Sequence, residues 1–149
     1  MEDLIEVTVK ESAPDFASGQ FKVVLQDNNS GRILSIWVGQ FEGTAISLGI
    51  QEAWTPRPMT HDLTINIMNK LQAQVKSVVI TDIRDNTFFA EIHLTAKENE
   101  LIIDSRPSDA IAIAVRLKKP IFVTKKLSDK MSDEIDDIFE RLQPKETIH

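Results

Sequence analysis

The sequence predicts an α+β domain with a mainly antiparallel sheet, built from a duplicated unit of three strands and two helices. Short segments with alternating apolar and polar residues are joined by tight turns, which is typical of antiparallel hairpins. Segments with helical spacing begin at helix-start signals. The order of strands and helices recurs at an offset of about 65 residues, which aligns Ala45-Ile46 with Ala110-Ile111. Hairpins with helices gathered beside them favour an α+β fold.

The first half of the chain contains three predicted strands and two predicted helices. The strands are Glu6–Lys10, Phe21–Leu25 and Arg32–Val38. A turn signal at residues 27–31 joins the last two strands. Residues 42–50 are predicted to form a helix, although only some of their apolar residues have helical spacing. Pro56 and Pro58 impose an extended link, and Thr60 is the predicted N-cap of a second helix that runs to Leu71.

The second half repeats this order. Its predicted strands are Val75–Thr81, Thr87–Thr95, Glu100–Ser105 and Pro120–Val123. A helix is predicted over Pro107–Leu117, because proline fits the first helical turn, and its apolar run from Ala110 predicts burial on every side. An acidic amphipathic helix is predicted over Ser128–Leu142. Residues 1–127 are therefore predicted to form one domain, with residues 128–149 as an acidic helix and tail.

Composition limits the functions that the chain can have. Its 149 residues are enough for one domain with a normal core. Because there is no cysteine, disulfides, a thiol nucleophile and a thiolate metal site are excluded. The acidic first residues contain no apolar run, so we expect a cytoplasmic protein without a membrane anchor. The net charge of −6 argues against a large basic surface, so a nucleic-acid partner requires a local basic spot or divalent metal ions.

Polar residues concentrate at three places where predicted elements begin or end. They are Asp104 with Arg106, Ser108 and Asp109; Arg57-Pro58 with His61 and Asp62; and Asp82 with Arg84 and Asp85. Free N–H groups at a helix start, with an arginine beside them, suit a phosphate. The carboxylates suit a divalent cation that bridges protein and phosphate.

Each of these residues also has a purely structural explanation. Helix capping accounts for Asp62, Asp109 and Glu42, and turn formation accounts for Asp82. A surface ion pair accounts for Arg84. Among the histidines, His61 at a helix start is the best acid–base candidate, whereas His93 lies within a strand. The sequence has no glycine-rich phosphate loop, no nucleophile elbow, no zinc-spaced histidine pair and no aromatic platform interleaved with basic residues.

Four blocks, in order along the chain, resemble the bifunctional nuclease (BFN) domain family. They are residues Ile36–Glu42, Pro56–Leu63, Ile80–Ala90 and Asp104–Ala112. The resemblance runs from about Glu6 to Leu127 and implies a compact α+β domain with a duplicated unit. It also implies activity on RNA and DNA, as described for plant members, but it supplies no catalytic residues. Phe89 stands where many members have tyrosine. Gly43 replaces a commoner alanine, which predicts a first helix weakened by up to roughly 1 kcal/mol.

Together, the residues and the resemblance predict a metal-assisted nuclease that acts on RNA and DNA with low sequence specificity. Asp104 and Asp109 are the predicted ligands of Mg²⁺ or Mn²⁺, and His61, Asp82 and Glu42 are the predicted catalytic residues. The predicted phosphate-binding residues are Arg57, Arg84, Arg106 and Ser108. The alternative is a non-enzymatic module that binds a small anionic ligand or a protein partner. Exposed strand edges and an apolar helix also predict a homo-oligomer.

Overall fold

A computed structural model describes residues 3–133 and has an α+β fold. Its strands are β1 (Leu4–Pro14), β2 (Phe21–Asp27), β3 (Ile33–Val38), β4 (Ala73–Arg84), β5 (Thr87–Ala96), β6 (Asn99–Ser105) and β7 (Ile121–Thr124). Its α-helices are α1 (Gln40–Ile50), α2 (Thr60–Lys70) and α3 (Pro107–Leu117), and a 3₁₀ helix spans Lys125–Lys130. No helix in the described part of the chain is long and apolar enough to cross a membrane.

The strands form one mixed sheet in the order β3-β2-β1-β7-β4-β5-β6. The pairing of β4 with β7 is parallel, and the other neighbouring strands pair antiparallel. The long strands β1 and β4 both contain register shifts, between Val9 and Glu11 in β1 and at two places in β4. Such irregularities bend a strand and increase its twist. The internal duplication stays a prediction.

The core lies between one face of the sheet and the helices. Ala90 and Ile92 of β5 mark this face, which we call the helix face; the other is the outer face. Helix α3 packs against the sheet, α1 and α2 together, which explains why residues from Ala110 to Ala114 are all buried. Helix α2 has no fully buried residue, and it packs against α3 and β4. The prediction that α3 is buried on every side is thus confirmed for these five residues.

Most predicted elements lie within a few residues of the observed ones. The predicted N-cap of α2 was wrong by one residue, because Met59 occupies that position and Thr60 begins the helix. Residues 128–130 belong to the 3₁₀ helix rather than to an acidic α-helix, and Ser132 forms a bridge with Ile33. Residues 131–133 are not helical either, and residues 134–142 of the predicted helix Ser128–Leu142 lie outside the described residues.

Gly43 has a packing role that the sequence did not indicate. A Cβ atom at this position would lie 2.2 Å from both Cβ and Cγ of Phe21. These atoms are at the root of a side chain that packs against the core, so they have little room to move. Gly43 therefore allows α1 to approach β2 closely.

Candidate active site

The N-terminal turns of all three α-helices meet at one polar cluster. Glu42 lies in the first turn of α1 and His61 in the first turn of α2, while Arg106 caps α3 and Asp109 lies in its first turn. We call these four residues the Arg106 cluster. A helix N-terminus presents free N–H groups and the positive end of the helix dipole. Three such ends therefore offset the negative charge of the two carboxylates.

Asp109 is the centre of the Arg106 cluster. Its Oδ1 lies 2.9 Å from Nε2 of His61, and its Oδ2 accepts a hydrogen bond of 2.8 Å from Nε of Arg106. A second guanidinium nitrogen, NH2, donates to Oδ1 at 3.1 Å. The arginine fork thus grips both carboxylate oxygens, which fixes the plane of the carboxylate. Because Asp109 is fixed, the His61 ring is held in one orientation.

Glu42 holds the guanidinium from the other side. Arg106 NH1 donates to Oε2 of Glu42 at 3.0 Å. The Glu42 carboxylate folds back toward the start of α1, where a Cβ on Gly39 would lie 2.4 Å from its Oε1. The absence of a side chain at position 39 therefore leaves room for Glu42 in this conformation.

The charges of the cluster stabilise one another. Burial raises the pKa of Asp109, but hydrogen bonds from Arg106 and His61 outweigh it and leave this pKa below its ordinary value. The pKa of Glu42 is lowered first by its own backbone N–H and then by Arg106. Hydrogen bonds to Asp109 and Glu42 in turn raise the pKa of Arg106. At neutral pH both carboxylates and the guanidinium are charged.

A second ion pair fixes the helix that carries His61. Asp62 Oδ2 accepts the Met59 backbone N–H at 2.9 Å, which caps α2, and Asp62 Oδ1 accepts from Nε of Arg116 at 3.0 Å. Arg116 is only 9% exposed and lies in the last turn of α3. Sequence reasoning missed Arg116. The sequence signal that could have identified it is a single arginine in an apolar helix, two turns after Asp109.

Two open pockets adjoin the Arg106 cluster. The first, of about 400 Å³, is lined by His61, Arg106 and Asp109 and by several apolar side chains. The second, of about 270 Å³, lies across Arg106 and Glu42, and its lining includes Trp37 and Ser108. The Arg106 side chain is 61% exposed. Because Arg106 lines both pockets, its exposed side chain is accessible to a ligand at this site.

The remaining predicted phosphate-binding residues lie in different places. Ser108 is buried in the first turn of α3 and lines the second pocket. Arg57 is exposed in the loop before α2, where Thr55 Oγ1 donates to its carbonyl oxygen. Of the two predicted Arg-Pro corners, Arg106 enters the cluster. The corner at Arg57 contributes His61 instead, four residues later.

The structure does not bring Asp104 and Asp109 together. Strand pairing aligns Ser105 with Ala90 on the helix face and Asp104 with Glu91. Because side chains alternate along a strand, Asp104 lies on the outer face of the sheet. Asp109 lies with the helices on the helix face. The two predicted metal ligands are therefore on opposite sides of the sheet.

Asp82 and Arg84 form a separate outer-face group. Asp82 is in register with Phe89, and the Arg84 guanidinium lies 4.0 Å from the centre of the Phe89 ring. Asp82 pairs with Arg84 and with Lys126 at 3.4 Å each. Its pKa is lowered first by the Ile83 backbone N–H and then by these cations. This group has the geometry of a surface ion-pair network, in which the Phe89 ring is a further partner for Arg84.

The donor set at the Arg106 cluster does not fit a metal ion. Both oxygens of Asp109 accept hydrogen bonds from cationic or imidazole nitrogens, and Glu42 accepts from the same guanidinium. Across residues 3–133, no group of three or more His, Asp or Glu side chains could hold a metal ion. Asp104 and Asp109 therefore do not form a shared metal site in this structure.

The fold and the site define an α+β domain with a His–Asp–Arg cluster where three helices begin. The Bifunctional nuclease domain matches residues 23–136, which is more than half of the chain. The protein therefore belongs to the bifunctional nuclease domain family.

Curated relatives occur in bacteria and plants. An uncharacterized protein of Mycobacterium tuberculosis is 39% identical over 101 residues, which are 68% of this chain and 60% of the relative. Bifunctional nuclease 2 of Arabidopsis thaliana is 30% identical over 118 residues, covering 77% of this chain and 36% of the relative. Bifunctional nuclease 2 of Oryza sativa subsp. japonica is 32% identical over 124 residues, covering 80% and 37%. The chain thus spans less than two thirds of the length of each of these relatives.

Proposed function

We propose that this protein hydrolyses phosphodiester bonds in RNA and DNA with low sequence specificity. The observation that carries the proposal is the bonding of one carboxylate, Asp109, to both His61 and Arg106. This arrangement puts an oriented proton carrier next to an exposed cation at the mouth of a pocket. Membership of the nuclease family supports the same reaction class.

His61 is the proposed proton carrier. With Nε2 bonded to Asp109, the neutral ring carries its proton on Nε2, and Nδ1 is the nitrogen that accepts a proton. Asp109 then stabilises the imidazolium that forms. A water molecule that gives its proton to Nδ1 attacks phosphorus, and the bond from phosphorus to the leaving oxygen breaks. That oxygen takes a proton from solvent water, and the imidazolium returns its proton to solvent. Water is the required nucleophile for action on DNA, since DNA lacks the 2′-hydroxyl.

Arg106 is the proposed phosphate-binding group. Of its five N–H bonds, three point to the carboxylates of Glu42 and Asp109, which leaves one on each terminal nitrogen for a phosphate. The two carboxylates hold the guanidinium rigid, so little reorganisation accompanies the build-up of negative charge. The three helix N-termini favour the same charge. Low sequence specificity is expected of contacts to phosphate alone.

The test is cleavage of labelled single-stranded RNA and DNA by wild type, His61→Gln and Asp109→Asn, each with Mg²⁺, Mn²⁺ or EDTA. General-base catalysis contributes on the order of 10²–10⁴-fold, so we expect both variants to lose at least 100-fold. His93→Gln is the matched control, because His93 Nε2 forms a similar 3.0 Å contact with Glu91 on β5. Equal cleavage by wild type and His61→Gln would contradict the proposal.

The reactions with Mg²⁺, Mn²⁺ or EDTA test the prediction that cleavage is metal-assisted. If cleavage needs Mg²⁺ or Mn²⁺, the metal must be held by ligands other than the pair of Asp104 and Asp109, because these two lie on opposite sides of the sheet. Cleavage by Asp104→Asn tests directly whether Asp104 takes part. Absence of cleavage in every arm would favour the alternative, a module that binds a small anion or a protein partner. The acidic net charge and the two carboxylates already on Arg106 are the observations that favour this alternative.

We further propose that the protein forms a homo-oligomer through β6, an edge strand of the sheet. Its residues Leu101, Ile102 and Ile103 are all exposed. An apolar edge with free backbone groups is a template for pairing with another strand. A cytoplasmic location stays a prediction.

A further inference from the structure

Phe41 is an exposed aromatic residue at the proposed active site. It lies in the first turn of α1, next to Glu42, and is 88% exposed. Together with Leu48 and Met59 it is among the apolar residues that line the 400 Å³ pocket, which His61 and Arg106 also line. The ring contributes almost nothing to the core, so its face is accessible to a ligand in the pocket that it lines. Its place beside the cluster points to a ligand.

The polar and apolar residues of this pocket match the two parts of a nucleotide. The exposed guanidinium of Arg106 suits the phosphate, and the flat ring of Phe41 suits the face of a base. Stacking of a base on an aromatic side chain tolerates any sequence, because every base has a π-face. Low specificity and a base-binding surface are thus compatible.

We infer that Phe41 stacks on one unpaired base of a single-stranded nucleic acid, next to the phosphate that Arg106 holds. This inference rests on the proposed function and adds the substrate class. In a duplex, the bases are paired and stacked on their neighbours, so a base cannot reach Phe41 while its phosphate lies at Arg106. The protein therefore selects single strands over duplexes.

Binding is tested separately from cleavage. In a His61→Gln background, the affinity for a labelled single-stranded DNA octamer is measured by fluorescence anisotropy for chains with Phe41, Phe41→Ala or Phe41→Tyr. The same measurement uses an abasic strand of equal length and a duplex of the same sequence. Phe16→Ala is the matched control, because Phe16 is 95% exposed and lies between β1 and β2, away from the pocket.

We expect Phe41→Ala to weaken binding of the octamer about tenfold and to leave binding of the abasic strand unchanged. Phe41→Tyr and Phe16→Ala should bind like the parent, and the duplex should bind at least tenfold more weakly than the single strand. An unchanged affinity in Phe41→Ala, an equal loss on the abasic strand, equal binding of the duplex or no binding at all would each overturn the inference.

The outcome separates this inference from the proposed function. Base-dependent binding through Phe41 without any cleavage by the wild-type chain would sustain the inference and contradict the nuclease proposal. Cleavage that needs His61 but is unchanged in Phe41→Ala would support the nuclease proposal and contradict the inference. Circular dichroism of each variant shows whether the fold is intact.

Discussion

Arg116 and Asp62, 54 residues apart in the chain, form an ion pair of 3.0 Å between Nε and Oδ1. Arg116 also donates through NH1 to the Ala112 carbonyl oxygen at 3.0 Å. The pair joins the last turn of α3 to the first turn of α2. Because His61 precedes Asp62, the pair also fixes the approach of His61 to Asp109. Arg116 is thus a positioning residue for the Arg106 cluster.

Replacement of Arg116 by leucine should destabilise the protein and misplace His61. It removes two hydrogen bonds and leaves the Asp62 carboxylate without its cation. We expect the free energy of unfolding to fall by about 1–3 kcal/mol, less than for a fully buried pair because Asp62 is partly solvated. Urea unfolding at pH 7 measures this loss. We expect cleavage to fall mainly through the rate constant of the chemical step, since Arg106 remains in place.

A double-mutant cycle shows whether the pair itself is responsible. Asp62→Asn removes the other charge, so the double variant should lose less stability than the sum of the two single variants. Additive losses would mean that Arg116 acts only through packing of its side chain. The proposed link between α2 and α3 would then be wrong.

The secondary structure could be predicted because its signals are local. Helix α3 spans Pro107–Leu117 as predicted, since Pro107 and the acidic first turn fix its start. Turn residues Asp85 and Asn86 both have positive φ, the conformation that their residue types tolerate best outside glycine. The role of Gly43 in α1 could not be predicted from local signals, because it depends on close contact with Phe21, more than twenty residues away.

The site could be predicted only in part, because its assembly depends on tertiary contacts. His61, Glu42, Arg106 and Asp109 were all named from helix-start signals, and the structure brings them together. Proximity in sequence was a poorer guide to which residues meet in the folded protein. Asp104 is five residues from Asp109 but belongs to a strand, and strand alternation turns it to the other face of the sheet.

Gly43→Ala should lower stability, although alanine is the better helix former by roughly 1 kcal/mol. The added Cβ would lie 2.2 Å from Phe21, so either the ring or α1 must shift. Overpacking of this kind costs about 1–3 kcal/mol, which exceeds the gain in helix propensity. Thermal unfolding should show a lower midpoint for Gly43→Ala and an equal or higher one for Thr44→Ala, an exposed control in the same helix. A rise in the midpoint of Gly43→Ala would contradict this close contact.

Acid should weaken the protein partly through Asp109. Its pKa is lower in the folded chain than the ordinary value of about 4 expected on unfolding, so the ionised form favours the fold. This contribution is complete above about pH 4 and is lost as the pH falls through the folded-state value. Asp109→Asn should therefore be less stable than wild type at pH 7, and the gap between them should narrow as the pH falls below about 4. Urea unfolding across this range tests the prediction, and a gap that stays constant with pH would contradict it.

Self-association through β6 should depend on Ile102. A two-fold axis through this residue would pair β6 with β6 of a second copy and extend the sheet, with Leu101 opposite Ile103. The same register sets Glu100 opposite Asp104 of the second copy, a repulsion that Lys76 at 2.6 Å from Glu100 partly offsets. Ile102→Lys sets two like charges directly opposite each other in this pairing, so sedimentation at micromolar concentration should show a dimer for wild type and a monomer for the variant. Leu71→Lys, an exposed control beside α2, should stay dimeric. A wild-type monomer, or a dimer that Ile102→Lys leaves intact, would rule out this edge as the interface.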